Sequence, residues 1–299
     1  MEKFRIAATG HSVNYLPEYL GVELGYFEEE GLNVDAIVPN PWTLVLDEIN
    51  NGDSQAALGG IWVPSMYRDR GHVYEPFAQV SARCPLVLMA HTPDGEFDYS
   101  KTEGATVLMP GSNGSSPGIF LKLVMTEAGV DVDAVNFVQD LSGAMLAELF
   151  SGGMGDYLLI DPVTATRLRR QGVGHIVTCL AESGGPVPWS VYYSDPTNGP
   201  STDAKVGFVR ALDRATQWLK AHEASEISDF LERTFSKANP ADLVAHVDEL
   251  RGWGMWETAR INAESYARWQ QGIADGHLID KPLEYTVFVD GAIADRARI

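Results

Sequence analysis

Side chains able to donate, accept or move protons crowd one short stretch of the chain, GHSVNY at residues 10–15. His11, Ser12, Asn14 and Tyr15 lie where an apolar run, FRIAAT, gives way to a helical pattern. In open α/β proteins ligands bind beyond the carboxyl ends of the strands, which is where such a strand-to-helix turn points. Two similar turns, PNPW and GGIW, add Trp42, Gly60 and Trp62. Flat aromatic walls with a few convergent polar groups are the usual lining of a small-molecule site, and a glycine lets a ligand approach backbone. Plain structural readings stand beside these: His11 bonded to backbone next to its helix, and Trp42 as the first core residue of its own.

A second polar turn, PGSNGSSPG at 110–118, sits between a strand-like and a helix-like run and contains Ser112, Asn113, Ser115 and Ser116. Backbone N–H groups at a helix start, with serine hydroxyls, suit a carboxylate, sulfonate or phosphate; the alternative is a glycine-serine turn with a serine N-cap. No Gly-Lys-Ser/Thr follows, so the turn is not a P-loop. Gly114 to Gly118 does match the GxSxG pattern of a nucleophile elbow. The residue after Ser116 is Pro117, however, which has no N–H to serve as oxyanion donor, so a serine hydrolase is disfavoured.

Asp161 ends the run YLLID, where it would meet a hydroxyl-bearing or cationic ligand, or act as a general base if paired with His11. Ser142 precedes a helix, as ligand contact or as cap. Trp189, in the β-prone run PVPWSVYYSD, either touches ligand or packs between domains. The remaining histidines are scattered, no HExxH pair occurs, and Cys84 and Cys179 have no metal-type spacing. No metal and no cofactor is expected, and both cysteines read as buried free thiols.

The elements that must position these residues alternate. FRIAAT, NVDAIV and QAALGG read as strands; LPEYLGVELGYFEEEG, PWTLVLDEINNGD and IWVPSMYRDRG read as helices. In the first helix Leu16, Tyr19, Leu20, Leu24 and Phe27 share a face, Pro17 suits the first turn and Gly31 the end. The middle of the chain repeats the plan: GATVLM, VDAVNFV and YLLID alternate with SSPGIFLKLVMTEAG, AMLAELFSGGMGD and PVTATRLRRQG. Each half is thus a βαβαβ unit with a mainly parallel sheet between helices. The β-prone runs at 82–91 and 186–195 read as two crossovers, giving lobe I from residues 1–88 and 193–299 and lobe II from 89–192. The helical last third, with Phe208, Leu212, Ala215 and Leu219 on one buried face, has no sheet of its own and is expected to pack on lobe I.

Composition bounds the function. A hydrophobic content of 45% with 21% charged residues is that of an ordinary globular protein. A net charge of −19 argues against nucleic acid and against anionic lipid heads as partners. The run Glu28-Glu29-Glu30 is a solvated face. No window is apolar enough for a spanning helix, so no membrane insertion is expected. The start MEKFRIAATGHS lacks a basic region followed by an apolar one. The chain therefore reads as cytoplasmic, or as periplasmic if it is the mature part of an exported protein.

The string PEYLGVELGYFEEEGLNV, residues 17–34, resembles the opening of type 2 periplasmic binding proteins of the SsuA/THI5-like (NMT1-like) family. The runs GATVLMPGSNGSSPGIFLKLVMTEAGVDVDAVNFV and LAELFSGGMGDYLLIDPVTATRLRRQG resemble that family's second lobe, with Tyr157 where it usually has alanine. The resemblance spans nearly the whole chain. It implies a two-lobed α/β fold, each lobe a mostly parallel sheet flanked by helices, that closes over a small organic ligand, anionic, aromatic or heterocyclic, in a cleft between the lobes. It also implies an ABC permease as partner if the protein is exported. The family includes cytosolic enzymes on the same fold, so a decarboxylase or lyase of a small aromatic or heterocyclic acid is the alternative, with His11 and Asp161 as acid and base. The catalytic cysteine that the desulfinase members place after the first strand has no counterpart here, where His11 stands instead.

Overall fold

The computed structural model describes residues 1–68, 70–110 and 116–299, residue 140 by its backbone alone. Among the described residues ten strands run in chain order: β1 (Glu2–Ala8), β2 (Leu32–Ile37), β3 (Ala56–Gly60), β4 (Glu75–Ser81), β5 (Val87–Ala90), β6 (Thr106–Pro110), β7 (Asn136–Leu141), β8 (Tyr157–Ile160), β9 (His175–Cys179) and β10 (Ser190–Ser194). They fall into two compact units, Met1–Ala82 with Val187–Ile299, and Arg83–Pro186. The breaks lie ahead of the expected 88/89 and 192/193 for a reason of pairing. All of β5 joins β8 and β9 in the second unit, and all of β10 joins β3 and β4 in the first.

The sheet of the first unit has the order β2-β1-β3-β10-β4. β1 runs parallel to β2 and β3, pairing Phe4 with Val34 and Ile6 with Ala56. β10 is antiparallel to both its neighbours, with Tyr192 opposite Leu58 and Ala78, so the sheet is mixed. Because β3 and β4 then share a direction, the ends of β1, β3 and β4 and the start of β10 meet at one edge.

The core of this unit is aromatic. The Phe4 and Phe208 rings stack at 4.7 Å, Phe27 stacks on Phe208 at 5.0 Å, and Tyr192 meets it edge-on at 4.8 Å. Phe208 comes from the helix Thr202–Ala221, whose first turn is capped by the Ser201 side chain accepting from Ala204 N–H. Its buried face carries Phe208, Leu212, Ala215 and Leu219, the expected stripe, and lies on the helix Leu16–Glu23.

One expected helix is two. The pattern over residues 16–31 breaks into Leu16–Glu23 and Tyr26–Glu29, because Gly25 takes a left-handed φ of 73°. A right-handed helix cannot continue through that conformation, which glycine alone adopts without strain. The helix expected from Trp42 likewise starts as a 3₁₀ turn, Trp42–Leu44, before the short helix Val45–Asn50.

The second unit has the order β7-β6-β8-β5-β9, with β6 parallel to β7 and β8, and β5 antiparallel to β8 and β9. Its core gathers Leu108, Phe120, Leu121, Phe150 and Leu158, all fully buried. Cys84 and Cys179 are both buried here, and burial pushes the Cys84 thiol well up. Among the described residues no helix is long and apolar enough to cross a membrane, and no group of three or more His, Cys, Asp or Glu could hold a metal ion.

Candidate functional site

The polar cluster of the opening turn is held at the carboxyl edge of the first sheet. β1 ends at Ala8, and Thr9 N–H donates to the Leu58 carbonyl at 2.9 Å, which locks the start of the turn onto β3. A 3₁₀ turn, Val13–Tyr15, then leads into the helix Leu16–Glu23, with Pro17 in its first turn, where a missing N–H is harmless.

Asn14 is the strut of this edge. It is buried, and its Nδ2 donates to Ser81 Oγ at 2.9 Å while Oδ1 accepts a short hydrogen bond from the Ser12 hydroxyl. The Asn14 carbonyl accepts twice more, from Ser81 Oγ at 3.0 Å and from Trp256 Nε1 at 2.9 Å. Neighbouring Tyr15 is buried with its hydroxyl 3.4 Å from Thr9 Oγ1. Desolvation holds the Tyr15 phenol above its usual range, the Thr9 and Ser190 hydroxyls opposing that rise. Two uncharged sets, Ser12–Asn14–Ser81 and Thr9–Tyr15, thus lie at this edge, with Ser190 of β10 beside the second.

Behind them lies a second polar layer. Tyr19 Oη accepts from Ser12 N–H at 3.3 Å, and Tyr192 Oη donates to Glu18 Oε2 at 2.7 Å. Glu18 is only 1% exposed, and burial pushes its carboxyl up to about 7, the Tyr192 bond opposing that rise. Burial raises the Tyr19 and Tyr192 phenols too, with the Glu18 carboxyl adding to both.

His11 points elsewhere. Its ring stacks on Tyr19 at 4.9 Å and leans on Phe235 at 4.9 Å, and its Nε2 lies 3.0 Å from the Thr234 carbonyl. A carbonyl only accepts, so Nε2 carries the proton and the imidazole is engaged as a bracket to the end of the helix Ser228–Thr234.

Two indoles flank the polar set. The Trp62 ring lies directly over Gly60: a Cβ there would sit 2.5 Å from its Cδ1 and Nε1. The bare backbone at Gly60 is therefore given to the protein's own indole. Trp189, half-buried, is anchored by its N–H to the Ser81 carbonyl at 3.0 Å, and its ring stacks on buried Trp269 at 6.3 Å. The next residue on that helix, Gln270, donates to Ser65 Oγ at 2.8 Å, fixing the helix Ala263–Asp275 to the helix Trp62–Tyr67. Trp42 is half-buried at the head of its 3₁₀ turn; the core positions of that segment belong to Val45 and Ile49.

The second unit places its candidates as helix caps. Ser142 Oγ accepts from Met145 N–H at 3.2 Å, and Asp161 Oδ1 accepts from Thr164 N–H at 2.9 Å, both at exposed positions. Ser116 is buried in the first turn of the helix Ser116–Glu127. Ser112, Asn113 and Ser115 lie outside the described residues.

The contributors not nominated from the sequence include Thr9, Glu18, Ser81, Ser190, Trp256 and Trp269. Ser81 would have followed from the rule that named the other turns, had EPFAQVS been read as a strand, whereas Ser190 opens an antiparallel strand that the rule does not cover. Trp256 and Trp269 carry no local signal, and the Trp256 bond to Asn14 spans 242 residues.

Solved structures share this fold. The periplasmic aliphatic sulphonate binding protein SsuA from Escherichia coli superposes with a TM-score of 0.74 at 16% identity, covering 97% of this chain and 92% of that one. The desulfurization enzyme DSZB superposes at 0.66 with 12% identity, covering 100% of this chain and 99% of that one. At such identities the likeness concerns the fold, which here carries both a binder and an enzyme. In sequence, the protein YtlA of Bacillus subtilis (strain 168), named a binding protein by inference, is 26% identical over 306 residues, covering 99% of this chain and 90% of that one. The profile of the family described as NMT1/THI5 like matches residues 12–225, from the Ser12 turn to just past the helix Thr202–Ala221. The chain belongs to the NMT1/THI5-like family.

Proposed function

We propose that this protein is a solute-binding protein of an ABC import system, and that the carboxyl edge of its first unit seats a flat, aromatic or heterocyclic part of a small organic ligand. The observation that carries this reading is the convergence, at one sheet edge, of the uncharged Ser12–Asn14–Ser81 and Thr9–Tyr15 sets beside the Trp62 and Trp189 indoles. Neutral hydroxyl and amide groups next to aromatic faces match a ring bearing carbonyl, amino or ring-nitrogen groups better than they match a small bare anion, which asks for a guanidinium or ammonium. Family membership, the sulphonate-binding role in the name of SsuA, and the ABC-type import system named for a structural neighbour from Staphylococcus aureus support uptake as the setting. In that setting the partner that receives the ligand is an ABC permease.

Binding is favoured over turnover by what the acid/base candidates already do. His11 Nε2 is spent on the Thr234 carbonyl and Asp161 on capping its helix. A thermal-shift screen of heterocyclic, aromatic and alkyl acids, with product analysis of every hit, tests the reading. A ligand at a hundredfold excess over its Kd stabilises by about 2.7 kcal/mol, so a ring compound is expected to raise the melting temperature by several degrees and to be recovered unchanged. Recovery of a converted product would overturn the binding reading, and a response to alkylsulfonates or nitrate alone would overturn the ring.

A further inference from the structure

We propose that Glu18 is a positioning residue for this seat: the proton it holds or releases, felt through Tyr192, Tyr15 and Tyr19, sets the geometry of the 10–15 turn and with it the affinity for ligand. The seat itself rests on the reading above, whereas the coupling of Glu18 to the turn can be tested without any ligand.

The geometry is direct. Glu18 follows Asn14 by one helical turn and is 1% exposed. Tyr192, which donates to its Oε2 at 2.7 Å, belongs to β10, the strand whose first residue, Ser190, lies beside the Tyr15 phenol. On its own helix the next residue, Tyr19, accepts from Ser12 N–H and stacks on His11. Tyr15 belongs to the turn and Tyr19 is bonded to it, while Tyr192 reaches it through β10. An ionised carboxylate draws the O–H donors about it more strongly than a neutral acid does, and a shift of these hydroxyls is passed to Ser12 and Thr9.

The charge has few competing partners. The titratable groups facing Glu18 are Tyr15 and Tyr19 from its own segment and Tyr192 from β10. The helix Thr202–Ala221 that packs on this segment directs Arg210 to Glu30 at 2.6 Å and Arg214 to Glu29 at 2.7 Å. Arg233 pairs with Glu23 at 2.7 Å. Burial alone pushes the carboxyl up, to about 7, so the protonation change falls within the range in which proteins work. A buried acid at a ligand-binding edge, where a neutral residue of the same shape would fit, is the kind of perturbed group that marks functional sites.

The test is a pH titration by NMR of the full-length protein, following the carboxyl carbon of Glu18 and the amides of Ser12, Asn14 and Tyr15. The amides are expected to show a step with the midpoint of the Glu18 carbon. In Glu18→Gln that step should vanish. Tyr192→Phe removes the donor that favours the carboxylate and should move both midpoints upward together, which keeps the test decisive if Glu18→Gln folds poorly. Amides that ignore the Glu18 midpoint, or a step that persists in Glu18→Gln, would overturn the proposal. With a hit from the ligand screen, wild type should change affinity severalfold across the same midpoint and Glu18→Gln should not. A seat that binds nothing refutes the reading of the edge and leaves the amide result to decide the coupling.

Discussion

Phe208→Ala is expected to destabilise the first unit by about 3–5 kcal/mol, the usual range for removing a fully buried phenylalanine. Phe208 is 0% exposed and stacks or tilts against Phe4, Phe27, Phe77 and Tyr192 at centroid distances of 4.7 to 6.1 Å. Its ring is the common neighbour of β1, β4, β10 and the helix Tyr26–Glu29, so no single side chain can move in to close the cavity. The measurement is urea unfolding followed by tryptophan fluorescence. All seven tryptophans lie within Met1–Ala82 and Val187–Ile299, so this signal reports the first unit alone. The midpoint should fall with little change in slope. A loss below about 1 kcal/mol would mean that the stack is not the keystone of the core.

The second large effect is one of pH. The Glu18 carboxyl rises from an ordinary 4.5 to about 7 in the folded protein. Below the lower value it is neutral in both states and folding is unaffected. Between the two, the unfolded chain releases the proton that the folded one keeps, so stability is lost as pH rises and the loss is complete above the folded value. One pKa unit corresponds to about 1.4 kcal/mol, so the full effect is about 3 kcal/mol. Glu18→Gln keeps the shape and stays neutral throughout. It is expected to exceed wild type in stability by about 2–3 kcal/mol at alkaline pH, the gap closing by the time both forms of Glu18 are protonated. Equal pH profiles for the two proteins would show that the carboxyl ionises freely in the fold.

How much of this could be read beforehand varies with how local each cause is. The strands β1, β2 and β3 and the buried face of the helix Thr202–Ala221 follow from periodicity, since each buries one face against a regular neighbour. The strand β4 escaped because it is buried on both faces and contains Pro76 and Gln79, which blur any alternation. The mixed character of the sheets also escaped, because the direction of β5 and β10 is set by their partners and leaves no mark within VLMA or SVYYS.

Within the site, the 10–15 turn was found by its residue types, yet its roles were assigned by distant contacts. Asn14 is a strut because Ser81 and Trp256 reach it, and His11 is a bracket because Thr234 and Phe235 do. Glu18 carries no mark of its burial in PEYLGVELG; only the approach of Tyr192 across 174 residues reveals it as a buried acid. Ser142 and Asp161 show the reverse case. Their residue type and place before a helix already permitted capping, and capping is what they do.

The central claim, a ring seat at the carboxyl edge of the first unit, is tested most directly by calorimetric titration of the best ring compound from the screen. The titration compares wild type with Trp189→Ala, the fold of the variant being checked by its unfolding midpoint. Loss of one stacking face is expected to weaken binding about tenfold or more, equivalent to about 1.4 kcal/mol. Undiminished affinity in a folded Trp189→Ala protein would contradict the account and move the seat away from this edge.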